Sequence, residues 1–299
     1  MYSVLKPEKR LILSSMLALC ATLFFVFSDA TIKYLAMREI KFYHFLFYGT
    51  PAYLLIPLYL FISGQLVEKL ICSNYFVPLI RGLVFLPTPF IVFLSLQFVS
   101  LPEFTTLTMT APLFALIFSI VILRERINVF LILSLLFGIL GVIIVIKPGF
   151  HSFNPFFLLV LLNALLISIA SLIVNKFNNV TSAEGYFIYG GLFVHSFSIG
   201  LFFIDPKFFD FFTSALIILA SIFVNCAMFF LVIAFKMAQK SYASLSCLNY
   251  LQILWSVLVG SIIFNQVLSL SAVIGACFIV LSGLFSLVSQ TKQIEMVDD

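Results

Sequence analysis

Charged residues are scarce in this sequence. Asp, Glu, Lys and Arg make up 9% of the 299 residues, whereas hydrophobic residues make up 63%, and the mean hydropathy is +1.21. Soluble domains carry about 25% charged residues. A chain this apolar cannot cover itself with a polar surface, so we expect a lipid bilayer to be its outer solvent.

Several sequence features of enzymes and cofactor-binding proteins are also missing. The five cysteines show no CxxC spacing, so neither a disulfide framework nor a metal site is expected. GxxxxGK, HExxH and GxSxG motifs are absent, and no carboxylate pair stands at helical spacing inside an apolar run. No dense run of Lys or Arg could hold a nucleic acid. The sequence therefore predicts no enzyme, no cofactor and no nucleic-acid partner.

Long apolar runs dominate what is present. A hydrocarbon core of about 30 Å needs about 20 helical residues, and the unbroken runs do not alternate as barrel strands would. We predict an all-α membrane protein with ten transmembrane helices. We expect the first run to be a retained span and not a cleaved signal. The predicted spans are 11–28, 43–63, 75–97, 104–123, 128–146, 155–175, 185–204, 213–235, 242–264 and 270–288.

The basic residues predict the orientation. With the N-terminus in the cytoplasm, eleven Lys and Arg fall on the cytoplasmic side and five on the opposite side. Cytoplasmic loops carry an excess of these residues. Both termini are therefore expected in the cytoplasm.

An internal similarity relates residues 105–146 to residues 246–287. Each stretch is a span with hydroxyl groups at its start, a polar break, and a second span with glycines. The chain then divides into halves at 1–148 and 149–299, each with five spans. An odd number of spans inverts one half relative to the other, as in many secondary transporters.

Short motifs in the first half resemble the EamA family of the drug/metabolite transporter superfamily. They occur in the family's order: Pro78-Leu79-Ile80-Arg81-Gly82, Ala111-Pro112-Leu113-Phe114, Leu123-Arg124-Glu125-Arg126, Gly138-Ile139-Leu140-Gly141-Val142 and Lys147-Pro148-Gly149. Residues 250–283 resemble the second EamA repeat, although Asn265-Gln266 stands where that repeat usually has an acidic residue. The resemblance implies two inverted five-helix repeats around a central cavity, with spans 1, 3, 4, 6, 8 and 9 facing it.

The resemblance also implies transport of a small organic solute. We predict a secondary transporter of an amino acid, an S-adenosylmethionine-like or a nucleoside-like metabolite, working by alternating access in the bacterial inner membrane. Protons are a candidate coupling ion, and the oligomeric state, monomer or homodimer, is left open. The alternative is a non-transporting membrane receptor or assembly factor on the same fold.

Polar side chains inside the spans are the substrate-binding candidates, because polar groups in the membrane usually face a cavity or a partner. A guanidinium could grip a carboxylate, and amides beside an aromatic wall suit a polar ring. The alternatives are snorkelling of the guanidinium, hydroxyls bonded within their own helix and amides bonded between helices. The candidates are Arg81, Thr106, Thr110, Asn163, Asn225, Asn249, Tyr250, Gln252 and Trp255.

Four further residues are candidates for gating or coupling. Asp29 and Lys33 stand at i and i+4 and could form an ion pair on one helix face, at the outer surface or on a cavity wall. Glu103 begins the fourth predicted span. His195 could titrate between pH 5 and 8 and couple a proton, or it could be a structural hydrogen-bonding residue.

Overall fold

The computed structural model describes residues 7–38, 40–122, 129–146, 154–177, 179–238, 248–266 and 268–298. Within these ranges the regular structure is helical, apart from an isolated bridge between Cys72 and Thr181. The predicted Arg124–Arg126 turn and the start of the ninth predicted span lie outside the described residues.

The helices follow one another with short connections. They are α1 (Pro7–Ala36), α2 (Phe42–Ile62), α3 (Leu66–Lys69), α4 (Phe76–Phe85), α5 (Thr88–Phe98), α6 (Leu101–Thr108), α7 (Ala111–Ile122), α8 (Val129–Ile146), α9 (Phe156–Lys176), α10 (Ala183–Ile204), α11 (Phe211–Ala238), α12 (Leu251–Phe264, after a 3-10 turn at Leu248–Tyr250) and α13 (Leu270–Asp298).

Seven helical stretches of the described chain are long and apolar enough to cross a membrane. Their mean hydropathies run from 1.7 to 3.2, and they leave large side chains such as Phe61, Phe203 and Phe211 exposed. The chain is thus a multi-pass helical membrane protein. The stretches are Ile12–Ala36, Phe42–Ile62, Phe76–Phe98, Val129–Ile146, Phe156–Val174, Glu184–Ile204 and Phe211–Met228.

Two predicted spans are broken helices, and proline explains both breaks. The third predicted span divides into α4 and α5 at Pro87, because Pro87 has no N–H to donate to the Leu83 carbonyl. The Leu86 N–H donates to that carbonyl. The fourth divides into α6 and α7 because Pro112 cannot donate to the carbonyl of Thr108. By contrast, α2 is one continuous helix although it contains Pro51 and Pro57.

The most extensive packing joins α1 to α11 and α8 to α13. Phe24 of α1 stacks its ring near Phe223 and Phe230 of α11, with centroids 5.2 and 5.7 Å away. The other main pairs are α2 with α10 and α11, α4 with α9 and α10, α5 with α9, α6 with α9 and α12, α7 with α9, and α1 with α5 and α12.

One apolar cluster lies at a single end of the bundle. It gathers the end of α1, the end of α5, the start of α6, the end of α8, the start of α9 and the second half of α12. Trp255 and Phe264 pack against it. Because the cluster draws on six helices, it closes this end of the bundle with apolar side chains. We call it the apolar cluster; its members are Val26, Ala30, Leu96, Val99, Leu101, Phe104, Leu107, Val145, Ile146, Phe157, Val160 and Val259.

Candidate functional site

Helix α1 runs through the interior of the protein beside the apolar cluster. Every residue from Ala21 to Ala36 is buried or part-buried, whereas Ile12, Leu13 and Met16 nearer its start are exposed. Its neighbours are α5, α6, α11, α12 and the 3-10 turn before α12. Asp29 and Lys33 therefore lie among protein groups and not against lipid.

Lys33 caps the end of α5. Its side chain is buried, and Nζ donates hydrogen bonds to the carbonyl oxygens of Leu96 at 2.7 Å and Val99 at 2.6 Å. The last carbonyls of a helix have no partner within the helix and carry its negative partial charge. Nζ also lies 5.8 Å from the centre of the Phe264 ring of α12. Lys33 thus ties together three helices at the closed end.

Asp29 stands one turn before Lys33 on α1. The hypothesised Asp29–Lys33 ion pair is not among the ion pairs of the described residues, because the ammonium is engaged by α5 instead. No hydrogen bond or ion pair to another described group is found for the Asp29 carboxylate. Asp29 is part-buried on a stretch of α1 that other helices surround. A side chain in this position can line an internal space between helices.

Buried polar atoms without a hydrogen-bond partner occur on the helices that form the apolar cluster. Such atoms cost free energy unless water or a ligand satisfies them. Asn163 was predicted as a contact, and its Oδ1 is one of these atoms; its side chain is 1% exposed. Trp255 was also predicted, and its indole Nε1 is another. The set on these helices within the described residues is Ser28 Oγ, Thr88 Oγ1, Ser95 Oγ, Thr108 Oγ1, Asn163 Oδ1 and Trp255 Nε1, on α1, α5, α6, α9 and α12.

Four of these atoms belong to residues that the sequence analysis did not select. Ser28, Thr88 and Ser95 are single hydroxyl residues among mostly apolar neighbours, and helices often bond such groups internally. The position of Ser28 beside Asp29, and that of Thr108 in a run of threonines, could have drawn attention to them.

The region around the start of α12 holds the other predicted polar residues of the ninth span. Gln252 is buried on α12, and Asn249 is part-buried in the 3-10 turn. The ring of Tyr250 packs against Gly283 of α13, where a Cβ would overlap it. Gly283 therefore provides the space for the Tyr250 ring.

Three predicted residues bond their own helices. Thr106 and Thr110 donate to the carbonyls of Pro102 at 2.8 Å and Leu107 at 2.6 Å. Asn225 Nδ2 donates to the Ser221 carbonyl at 2.7 Å. These are the local bonds that the sequence analysis gave as the alternative, and a substrate contact by these groups stays a prediction.

Arg81 lies between α4 and α10, at the end of the bundle away from the apolar cluster. Its Nη1 donates to the Tyr186 carbonyl at 3.0 Å, and its guanidinium lies 6.0 Å from the Tyr186 ring. Gly190 makes room for Nη1, and Nε is buried without a partner. The guanidinium keeps a free donor that an anion could use.

His195 and Glu103 have structural contacts. Nδ1 of His195 is 3.0 Å from Thr50 Oγ1, and its ring stacks on Tyr53 with centroids 4.5 Å apart, so it packs α10 onto α2. Glu103 accepts a 2.6 Å bond from Ser100 Oγ, whose oxygen also accepts from the Glu103 N–H at 3.4 Å. Ser100 is thus the N-cap of α6, and Glu103 accepts a bond from the capping hydroxyl. Roles in coupling or gating stay predictions for both.

An ionic network lies at the same end as the apolar cluster, where Lys41 and Asp205 stand just outside the membrane-spanning segments. Asp205 Oδ2 accepts from Lys41 Nζ at 2.8 Å and from the Tyr43 hydroxyl at 2.5 Å, and its backbone carbonyl is 3.0 Å from His44 Nε2. The bond from Lys41, and then that from Tyr43, lowers the pKa of Asp205 to about 2 from its ordinary 3.8. The network joins the start of α2 to the end of α10.

Known proteins resemble this chain at several levels. The model of the EamA-like transporter family matches residues 9–147. S-adenosylmethionine uptake transporters of Rickettsia prowazekii and Rickettsia bellii are 25% and 26% identical to it. Those alignments cover 89% of this chain and 89% and 90% of the relatives. The chain is similar to small-molecule transporters.

A solved crystal structure extends the likeness to the fold. It aligns with a TM-score of 0.64 at 15% identity, and the alignment covers 94% of this chain and 98% of the other. At this identity the likeness concerns the fold alone. It spans both halves of the chain, including the part that the family model does not match.

Proposed function

We propose that this protein is a secondary transporter that moves a small organic metabolite across the bacterial inner membrane. The observation that carries the proposal is the apolar cluster, which closes one end of the bundle over helices that bear unpartnered polar atoms. A carrier that alternates access must seal one side of a polar site while the site is reached from the other.

The proposed architecture is ten spans in two inverted halves, 1–148 and 149–299. The broken helices α4–α5 and α6–α7 are the third and fourth spans, and α12 and α13 are the ninth and tenth. The packing is consistent with a twofold relation that exchanges each span with the fifth after it. Under this exchange the contact between α1 and α11 corresponds to the contacts of α9 with α4 and α5. The contact between α2 and α11 corresponds to that between α10 and α4. The α1–α12 pair corresponds to α9 with α6 and α7.

The fifth and tenth spans would lie on the twofold axis. Ser134 Oγ of α8 donates to the Ser282 carbonyl at 2.8 Å, and Ser282 Oγ of α13 donates to the Ser134 carbonyl at 2.6 Å. Gly141 and Gly275 approach two turns further on, in reverse order along the two helices. Reciprocal bonds between antiparallel helices are what an axis between the two halves requires. The α1–α5 contact has no counterpart of similar extent among the described residues.

S-adenosylmethionine is the proposed substrate, on the strength of the named relatives. It combines a purine ring, a sulfonium and an amino-acid head. Amides such as Asn163 and Gln252 and the indole of Trp255 suit a polar ring system. Arg81 keeps a donor for a carboxylate, at the end of the bundle away from the apolar cluster. The relatives do not favour the alternative of a non-transporting receptor or assembly factor.

Counterflow in proteoliposomes tests this function. Vesicles with the purified chain are loaded with unlabelled S-adenosylmethionine and given the labelled compound outside, with and without a proton gradient. We expect saturable accumulation that Trp255→Ala and Asn163→Leu reduce. The control is Ser171→Ala, because Ser171 is exposed on α9 and bonds its own helix. If no label accumulates, the same vesicles are offered amino acids and nucleosides, and failure of all of them would refute the transporter proposal.

A further inference from the structure

We infer that the Asp29 carboxylate binds the positive charge of the transported solute, and that it selects cationic solutes over neutral analogues of the same shape. The inference rests on the proposed function and names the residue that recognises the charge. It assigns Asp29 a role distinct from the gating or coupling considered from the sequence.

Asp29 lies among protein groups and not against lipid. The α1 segment that contains it has no exposed position from Ala21 to Ala36. Val26 and Ala30, which flank Asp29 on the helix, belong to the apolar cluster. Lys33, one turn further along the same face, contacts the end of α5. Asp29 therefore lies on the side of α1 that packs against α5, α6 and α12.

Among the described residues, no cationic group pairs with Asp29. Two carbonyls at the end of α5 hold the Lys33 ammonium, and no ion pair joins it to Asp29 among the described residues. The sequences of α5, α6 and α12 contain no Lys, Arg or His. Helix α11 contains one basic residue, Lys236. It follows Phe230, whose ring contacts Phe24, five residues before Asp29 on α1. Lys236 therefore comes at a level of α11 beyond Phe24 and away from Asp29. A charge inside the membrane normally has a partner or lines a pathway.

The helix that packs against this part of α1 carries an indole. Trp255 packs against the apolar cluster that contains Val26 and Ala30, and its indole N–H is unsatisfied. The face of an indole attracts cations, and an anion on the neighbouring helix α1 would complete a site for a sulfonium or ammonium group that carries few hydrogen-bond donors. Ser28 Oγ, adjacent to Asp29, is also unsatisfied. Anion, indole and free hydroxyl together fit a cationic solute with a polar remainder.

The test uses two solutes that differ in one charge. S-adenosylmethionine and its demethylated thioether share the purine, the ribose and the amino-acid head, but only the first carries a sulfonium. Each competes for counterflow in proteoliposomes of the full chain, wild type, Asp29→Asn and Asp29→Glu. The matched control is Thr31→Val, because the Thr31 hydroxyl bonds the Phe27 carbonyl of the same helix at 2.8 Å.

We expect the wild type to prefer the sulfonium by about tenfold or more, as for a hydrogen-bonded or paired charge. Asp29→Asn should lose this preference, while its half-saturation concentration for the thioether stays unchanged. Asp29→Glu should keep the preference in part. An Asp29→Asn variant that retains the preference, or that binds both solutes more weakly by the same factor, would overturn the inference. A wild type that exchanges neither solute would refute S-adenosylmethionine as the substrate, and this inference with it; the transporter proposal itself would fall only if amino acids and nucleosides were not exchanged either.

A second measurement covers variants that fail to fold. A hydrophobic carbodiimide modifies carboxyl groups inside membrane proteins, and mass spectrometry of the wild-type chain quantifies the adduct on Asp29. We expect the sulfonium solute to slow this modification and the thioether to leave it unchanged. Equal protection by both solutes, or protection by neither while counterflow proceeds, would show that Asp29 does not contact the charge.

Discussion

Lys33 Nζ lies 2.6 Å from the carbonyl oxygen of Val99, the residue at which α5 gives way to extended backbone. One lysine of α1 thereby terminates a neighbouring helix at the point where the apolar cluster begins. Leu96 supplies the second carbonyl at 2.7 Å, and both belong to the apolar cluster through their side chains. The ammonium and the apolar side chains close the same end of the bundle, so loss of the cation should loosen the closure.

Replacement of this cation should destabilise the closed end. Lys33→Met keeps the length of the side chain but leaves two buried carbonyls without a donor. Each charged hydrogen bond contributes about 1.5–3 kcal/mol, so we expect the unfolding free energy in detergent to fall by about 3 kcal/mol. The fluorescence of Trp255, which packs against the apolar cluster, reports the transition.

The matched control is Lys41→Met at the same end. Lys41 is exposed and pairs with Asp205, and exposed pairs contribute little, so its effect should be clearly smaller. Equal effects of the two substitutions would show that Lys33 is no more than a surface contact.

Sequence patterns predicted the helices well and the partners of the polar residues poorly. Hydrophobic runs report burial in lipid, and they located the seven stretches that can cross a membrane, although α1 and α13 continue past their predicted ends at 28 and 288. Proline explains why α6 stops at Thr108. The i, i+4 spacing of Asp29 and Lys33 predicted an ion pair, but spacing cannot show that the end of α5 offers Lys33 two carbonyls. Likewise, the hydroxyls of Thr106 and Thr110 could turn to a cavity or to their own helix, and only the backbone around Pro102 and Leu107 decides.

The close approach of α8 and α13 should tolerate no side chain. A Cβ on Gly275 would lie 2.7 Å from the Gly141 carbonyl oxygen and would overlap Val145. We expect Gly275→Val to separate the helices, break the Ser134–Ser282 bonds and reduce the yield of monodisperse protein on gel filtration. Gly200→Ala is the control, because nothing lies within 4 Å of a Cβ there. A Gly275→Val protein that elutes and melts like the control would contradict the packing.

The network around Asp205 should make stability depend on pH in an acidic window. Its pKa is lowered to about 2 from 3.8, so the folded state prefers the ionised form. The contribution is fully present above about pH 4 and is lost as the pH falls toward 2. The melting temperature of the wild type should therefore drop relative to Asp205→Asn across this window. Glu68→Gln, at an exposed residue of α3, should leave the pH dependence unchanged, and parallel curves for wild type and Asp205→Asn would argue against the network.

The side of the membrane that the apolar cluster closes can be determined by labelling. Met37 and Val67 are 61% and 80% exposed at opposite ends of α2 and its flanking turns. With both termini in the cytoplasm, as we propose, a cysteine at position 37 should react with an impermeant maleimide in intact cells. A cysteine at position 67 should react only after lysis. Because Met37 lies at the end that holds Lys33 and the apolar cluster, this result would make the structure closed to the outside and open toward the cytoplasm. The reverse pattern would place the closed end in the cytoplasm, and the same structure would then be the state that receives solute from outside.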